Sequence, residues 1–115
     1  MLAGALLVIA AGILVQASLA GLFVSDVAEV KRVHLWVGLA LPIAAIVPTV
    51  IAWVHVARRR VSAGFAGLVT ALLVGLWVQD ALGHMPFDVS TAVHVPLGVL
   101  LFGLSAALGI RALRR

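Results

Sequence analysis

Four apolar stretches, at about residues 2–24, 33–57, 61–83 and 92–112, make up most of this 115-residue chain. Each stretch reaches the roughly 20 residues that an α-helix needs to cross the hydrocarbon core of a bilayer. A spanning β-strand would need only about 10 residues of alternating polarity, so the stretches are predicted to be helices. The mean hydropathy of +1.26 is that of a chain whose main solvent is lipid. We therefore expect an all-α bundle of four transmembrane helices, forming a single membrane domain over residues 1–115.

Charged side chains are divided between the two ends of this predicted bundle. Arg58–Arg60 lie between the second and third stretches, and Arg111, Arg114 and Arg115 follow the fourth, whereas all four acidic residues lie at or near the other end. The positive-inside rule places the arginine clusters and both termini in the cytoplasm. The expected location is the plasma membrane of a bacterium or an archaeon. A net charge of +4 distributed in this way indicates membrane orientation and not nucleic-acid binding.

The chain contains the same helical hairpin twice. Along the first and third stretches, small and polar residues recur at an interval of 63 residues, so that Gly12 and Gln16 correspond to Gly75 and Gln79. The second and fourth stretches match at an interval of 60 residues, in His34 with His94, Gly38 with Gly98, and Leu41 with Leu101. Internal repeats in membrane folds put sites at the repeat interface. We predict two related hairpins in a pseudo-twofold bundle.

Two histidines at equivalent positions are the candidate metal ligands. His34 and His94 each stand at the start of an even-numbered span, close to the outer surface. Gly38 and Gly98 lie one helical turn below them, where the missing side chain leaves room for a flat ligand. Two imidazoles related by the pseudo-twofold suit a haem with histidine on both axial positions. Because the chain has no cysteine, a thiolate ligand is excluded.

Nearby polar residues are candidates for the wall of the same pocket. Gln16 and Gln79 lie about two turns inside the outer ends of their helices, and a buried amide in lipid needs a partner. They are expected to line the pocket or to hydrogen-bond across helices. Lys31 and Arg32 precede the first histidine on the outer side. They are the expected partners of the haem propionates.

Each of these features also has a simpler interpretation. A single histidine at the membrane edge is more often interfacial or hydrogen-bonded than a ligand, and helix packing alone explains stripes of small residues. His55 has no counterpart on the inner half of the fourth stretch, and is expected to be interfacial beside the arginines. His84 corresponds to Gly21 and lies near the pocket rim, where a structural or loop-capping role is expected.

Two segments of the chain resemble the haem A synthase family. The first is the run Gln79-x-x-Leu82-Gly83 followed, after a short loop, by Ala92-Val93-His94-Val95-Pro96-Leu97-Gly98; the looser one is Gln16-x-x-Leu19-Ala20 up to His34. That family has eight helices in two four-helix halves, and this chain resembles one half over nearly its whole length. The resemblance implies that His34 and His94 are the axial ligands of one b-type haem.

The chain departs from the family at one position. The half of the family that carries out oxidation has a glutamate three residues before its first ligand histidine, and Lys31 stands at that place here. The resemblance therefore implies the haem site and leaves the family's activity, hydroxylation of a haem methyl group, open. It also implies that a lone half pairs with itself as a homodimer or joins a larger membrane redox complex.

Two classes of function fit these observations. The first is a b-type haem-binding protein, with haem A synthase-like architecture, that serves electron transfer or haem processing. The alternative is a small accessory subunit of a respiratory or photosynthetic membrane complex, which the short loops favour. A transporter or channel needs polar residues distributed through the bilayer, and this chain has few.

Overall fold

The protein is described by a computed structural model over residues 1–24, 28–85 and 88–115, with side chains for all of these except residues 23, 28 and 88–91. Four α-helices follow one another: α1 (Leu2–Val24), α2 (Ala28–Ala57), α3 (Ala63–Gly83) and α4 (Asp88–Leu113). Each contains a segment long and apolar enough to cross a membrane. The predicted all-α architecture with four membrane-spanning helices is confirmed.

The helix bounds differ from the predicted spans mainly where charged residues adjoin an apolar stretch. The first span, 2–24, agrees with α1, but α2 begins at Ala28 and not at residue 33, and α4 begins at Asp88 and not at residue 92. An apolar stretch marks only the part of a helix that can lie in hydrocarbon, whereas the backbone hydrogen bonds continue through polar residues such as Glu29 and Lys31. At the start of α3, the Ser62 hydroxyl accepts the backbone N–H of Phe65 at 3.3 Å and caps the helix.

The helices pack as a square. In the described residues, α1 contacts α2 and α4, and α3 contacts the same two helices. Helices α2 and α4 therefore lie diagonally across the bundle from each other, as do α1 and α3. The molecule measures 49 × 22 × 19 Å along its principal axes, so the helices run along its length. We call one end of the bundle the arginine end, since Arg58–Arg60, Arg111, Arg114 and Arg115 lie there, and the other the histidine end, after His34 and His94.

Apolar side chains fill the half of the bundle next to the arginine end. The most buried large side chains include Leu6, Ile9, Phe65, Val69 and Leu72, all from the parts of α1 and α3 nearest that end. Buried hydroxyls in the bundle are satisfied within their own helices: Thr49 donates to the Ala45 carbonyl at 2.8 Å, and Ser105 donates to that of Phe102 at 3.0 Å. A polar group without such a partner would be costly in lipid.

Equivalent glycines pack each hairpin in the same way. A Cβ on Gly12 would come within 2.5 Å of Leu41 Cδ2, and one on Gly75 would come within 2.5 Å of Leu101 Cδ2. The two glycines correspond under the interval of 63 residues, and the two leucines under the interval of 60. The predicted repeat of two helical hairpins is confirmed by these contacts, and in both hairpins the glycine lets the two helices approach closely.

Candidate functional site

A cavity of about 320 Å³ lies between the four helices at the histidine end. Its wall is mostly apolar, with side chains such as Ile13, Leu76 and Phe102. The wall also includes all three pairs of polar or small residues that the repeat predicts for the pocket: His34 and His94, Gln16 and Gln79, Gly38 and Gly98. The two members of each pair are separated by about half the length of the sequence. The structure brings all of them to one cavity.

Each histidine ring is held by a backbone carbonyl of the preceding helix. Nδ1 of His34 lies 3.1 Å from the carbonyl oxygen of Gln16, and Nδ1 of His94 lies 3.0 Å from that of Gln79. A carbonyl oxygen can only accept, so each Nδ1 carries the proton and donates it in the hydrogen bond. In the neutral ring, the lone pair that can bind a metal is then on Nε2.

This hydrogen-bond pattern is the one that metal-binding histidines commonly show. A ligating imidazole usually donates its other N–H to a carbonyl or carboxylate, which sets the tautomer and the orientation of the ring. Here the two rings belong to the diagonal helices α2 and α4 and line one cavity. Across the described part of the chain, no group of three or more histidine, aspartate or glutamate side chains could hold a metal ion.

The two glutamines connect the helices of each hairpin and fill the space beside the glycines. Nε2 of Gln79 donates to the backbone carbonyl of His94 at 2.9 Å, so this pair is joined by two hydrogen bonds. A Cβ on Gly98 would lie 3.1 Å from Gln79 Nε2, and one on Gly38 would lie 2.8 Å from Gln16 Nε2. The space beside each glycine, which the sequence pattern assigns to a ligand, is where the glutamine amide lies. The glycines border the cavity as well.

Each glutamine also has one unsatisfied atom. Oε1 of Gln16 and Oε1 of Gln79 are buried and accept no hydrogen bond from the described residues. Leaving such an acceptor unsatisfied costs about 1–3 kcal/mol. Because the two atoms are equivalent under the repeat, both hairpins carry the same deficit beside the cavity. An occupant that donates hydrogen bonds, or water held with it, would remove that deficit.

Lys31 and Arg32 do not belong to this wall. Both are exposed on the first turns of α2, and neither lines the cavity. Their role as partners of haem propionates stays a prediction. Of the acidic residues predicted for this end, Asp26 lies outside the described residues, and Glu29 is exposed.

Asp80 and His84 form an ionisable pair at the cavity, and the sequence pattern did not predict this pairing. The Asp80 side chain lines the cavity and is only 15% exposed, whereas His84 is 56% exposed at the rim. His84 Nδ1 lies 2.8 Å from the backbone carbonyl of Asp80 and 3.9 Å from its carboxylate Oδ1. The backbone N–H of His84 bonds to carbonyls in the last turn of α3, so its predicted capping role is confirmed. The position of Asp80 directly after Gln79, and one turn before His84, was the signal available in the sequence.

The fourth histidine lies away from this site. His55 is half-buried at the arginine end, beside Arg60 and Arg115, as its sequence context predicts. Compared with family models, with curated proteins and with solved structures, the chain has no match.

Proposed function

We propose that this chain is a membrane haem protein of haem A synthase-like architecture, in which His34 and His94 are the axial ligands of one b-type haem. One observation carries the proposal: two repeat-equivalent imidazoles, each with Nδ1 fixed on a backbone carbonyl, line one cavity from diagonal helices. A purely structural role would not require both rings to have the same tautomer and to border the same space.

The cavity residues fit such a group in two respects. The wall is mostly apolar, as a macrocycle requires. The protonated Nδ1 leaves Nε2 of each ring as the metal-binding atom.

A bound haem supplies one-electron chemistry at an iron whose potential depends on its axial ligands and their surroundings. The chain supplies the remainder. The carbonyls of Gln16 and Gln79 orient the imidazoles and raise their basicity by accepting Nδ1–H. The apolar wall excludes water, and the second hydrogen bond between Gln79 and His94 holds the start of α4 against α3.

Such a haem would serve electron transfer as a permanent cofactor, or haem processing as a substrate. We place the protein in the plasma membrane of a bacterium or an archaeon, with the arginine end in the cytoplasm. The partner is a second copy of the chain or a larger redox complex. The alternative function, an accessory subunit of a respiratory or photosynthetic complex, is favoured by the small amount of chain outside the four helices.

An absorption spectrum distinguishes the two functions. The full chain is purified in mild detergent, supplied with haem b, and freed of excess haem by gel filtration. We expect a reduced-minus-oxidised spectrum typical of a low-spin, bis-histidine haem, with one haem bound per chain. A folded, helical protein that retains no haem would contradict the proposal and favour the accessory subunit.

A further inference from the structure

A second cavity lies at the arginine end of the bundle, and the first cavity lies at the opposite end. It has a volume of about 250 Å³, and its wall includes Leu2, His55, Arg60, Val61, Ala112 and Arg115. Leu2 is buried, and Val61 and Ala112 are half-buried, so the inner part of the cavity is apolar. The guanidinium-bearing residues Arg60 and Arg115 are exposed. The cavity is therefore amphiphilic, with an apolar interior and a cationic rim.

The turn that ends α2 brings one of these arginines into place. The backbone N–H of Arg60 bonds to the carbonyl of His55 at 2.8 Å, and that of Arg59 bonds to Val56 at 2.9 Å. This pair of bonds is the Schellman motif, which normally has a glycine in the left-handed conformation. Here that residue is Arg59, with φ of 55°. The chain thus has an arginine where glycine would be less strained, within a run of three arginines.

The other arginine is positioned by an aromatic ring. The guanidinium carbon of Arg115 lies 4.9 Å from the centroid of the Phe65 ring, and that of Arg111 lies 5.9 Å from it. A guanidinium group held over a ring in this way gains a cation–π contact. The contact with Phe65 therefore constrains the position of Arg115 beside the cavity.

No carboxylate among the described side chains neutralises this end. Six arginines lie there, whereas the described acidic side chains, Glu29 and Asp80, belong to the helix ends on the opposite side of the bundle. The described side chains at this end therefore carry an excess of positive charge. Two guanidinium groups above an apolar interior match an anion that carries hydrocarbon.

We propose that this cavity binds the headgroup phosphate of an anionic phospholipid, between Arg60 and Arg115. The two guanidinium groups donate to the phosphate oxygens, since planar N–H donors match phosphate geometry. His55 adds a third donor from the end of α2. The start of the acyl chains lies over Leu2, Val61 and Ala112. Basic pockets between transmembrane helices hold anionic headgroups in this way. The site is separate from the histidine cavity and does not depend on haem.

The test uses the detergent-solubilised full chain and native mass spectrometry. The probes are phosphatidylglycerol, phosphatidylcholine with the same acyl chains, and inorganic phosphate. We expect phosphatidylglycerol to be retained in preference to both. The variant R60Q/R115Q should bind it roughly 10- to 30-fold more weakly, given about 1 kcal/mol per arginine near a lipid surface. The matched control R58Q/R114Q removes the same charge from exposed arginines that do not line the cavity, and should bind nearly as well as the wild type.

Three outcomes would overturn the proposal. Equal weakening in both double variants would mean diffuse attraction without a site. Equal binding of phosphatidylcholine would show that the site does not distinguish an anionic headgroup from a zwitterionic one. Saturable binding of inorganic phosphate that displaces the lipid would make a soluble anion the ligand. Circular dichroism of each variant confirms that the helices are intact, and R60Q alone serves if the loss of the Arg115 contact with Phe65 impairs folding.

Discussion

The two hairpins hold their histidines by the same contacts but differ in the charges beside them. In both, a ring Nδ1 donates to a glutamine carbonyl, and a glycine accommodates the amide of that glutamine. In the first hairpin, the residue after the glutamine is Ala17, which lines the cavity; in the second, the equivalent residue is Asp80. One turn further, His84 replaces Gly21.

This difference separates two properties of the site. The contacts that position the imidazoles are common to both halves, so the presentation of two ligands is symmetric. The carboxylate is present on one side alone, so the electrostatic environment of an occupant is asymmetric. Asp80 is also poorly placed for stability, because an acidic side chain near the C-terminal end of a helix is disfavoured by the helix dipole. The symmetric and asymmetric features should therefore respond differently to substitution.

The largest effect is expected from the histidines themselves. If the two hairpins contribute equally, His34→Ala and His94→Ala should each abolish the low-spin haem spectrum, because neither ligand can be replaced by a cysteine of this chain. Equal loss from both variants, measured by absorption spectroscopy of the purified proteins, would confirm that the two halves share one haem.

Matched controls come from the other two histidines. His55→Ala alters a residue at the arginine end, and His84→Ala alters a half-exposed ring at the rim. Both variants should retain the low-spin spectrum. Loss of the spectrum in only one of the two ligand variants would show that the hairpins are not equivalent. It would indicate a site with a single histidine ligand and contradict the bis-histidine site.

A second, smaller effect concerns packing within each hairpin. Gly12→Ala and Gly75→Ala each place a Cβ within 2.5 Å of a leucine methyl group, so each should destabilise the bundle. Overpacking typically costs about 1–3 kcal/mol, partly offset by up to about 1 kcal/mol from the better helix propensity of alanine. Unfolding in mixed detergent micelles measures the difference, and similar losses are expected in both hairpins.

Gly4→Ala and Gly67→Ala provide the control, again as an equivalent pair. They lie about two helical turns before Gly12 and Gly75, and a Cβ at either position would meet no atom within 4 Å. These variants should be neutral or slightly more stable than the wild type. If all four variants behave alike, the close contacts with Leu41 and Leu101 do not determine how the hairpins pack.

The fold could be predicted almost entirely from the sequence. Length and apolarity determine a spanning helix without reference to tertiary contacts, which is why α1 was predicted with its observed bounds. Helices α2 and α4 begin several residues before the predicted spans, since apolarity marks the membrane and not the extent of helical hydrogen bonding. The repeat could be predicted because glutamine and histidine are rare against a background of interchangeable aliphatic residues.

The candidate site could be predicted as a set of residues but not as a set of contacts. The pairing of His34 with Gln16 and of His94 with Gln79 depends on backbone carbonyls, and side-chain patterns do not report those. The role of the glycines differed from expectation for a similar reason: Gly38 and Gly98 make room for the neighbouring glutamine amides. Asp80 was not singled out because the repeat marks what the halves share, and this residue is what they do not share.

The smallest effect tests that asymmetry. Asp80→Asn keeps the shape of the side chain and removes its charge, so the low-spin spectrum should persist, and stability should be unchanged or raised by up to about 1 kcal/mol from the relief at the helix end. Loss of a negative charge beside the cavity should disfavour the ferric state, and the midpoint potential of the haem should rise. The reciprocal variant Ala17→Asp places a carboxylate at the equivalent position of the first hairpin and should lower the potential, while Ala17→Asn serves as its uncharged control. A redox titration of the four proteins measures these shifts.

If Asp80→Asn has the potential of the wild type while Ala17→Asp shifts it, the charge of Asp80 is screened from the haem. The difference between the hairpins then has no electrostatic consequence for the haem. If the two substitutions move the potential in opposite directions, the second hairpin lowers the potential of a haem that both hairpins hold alike.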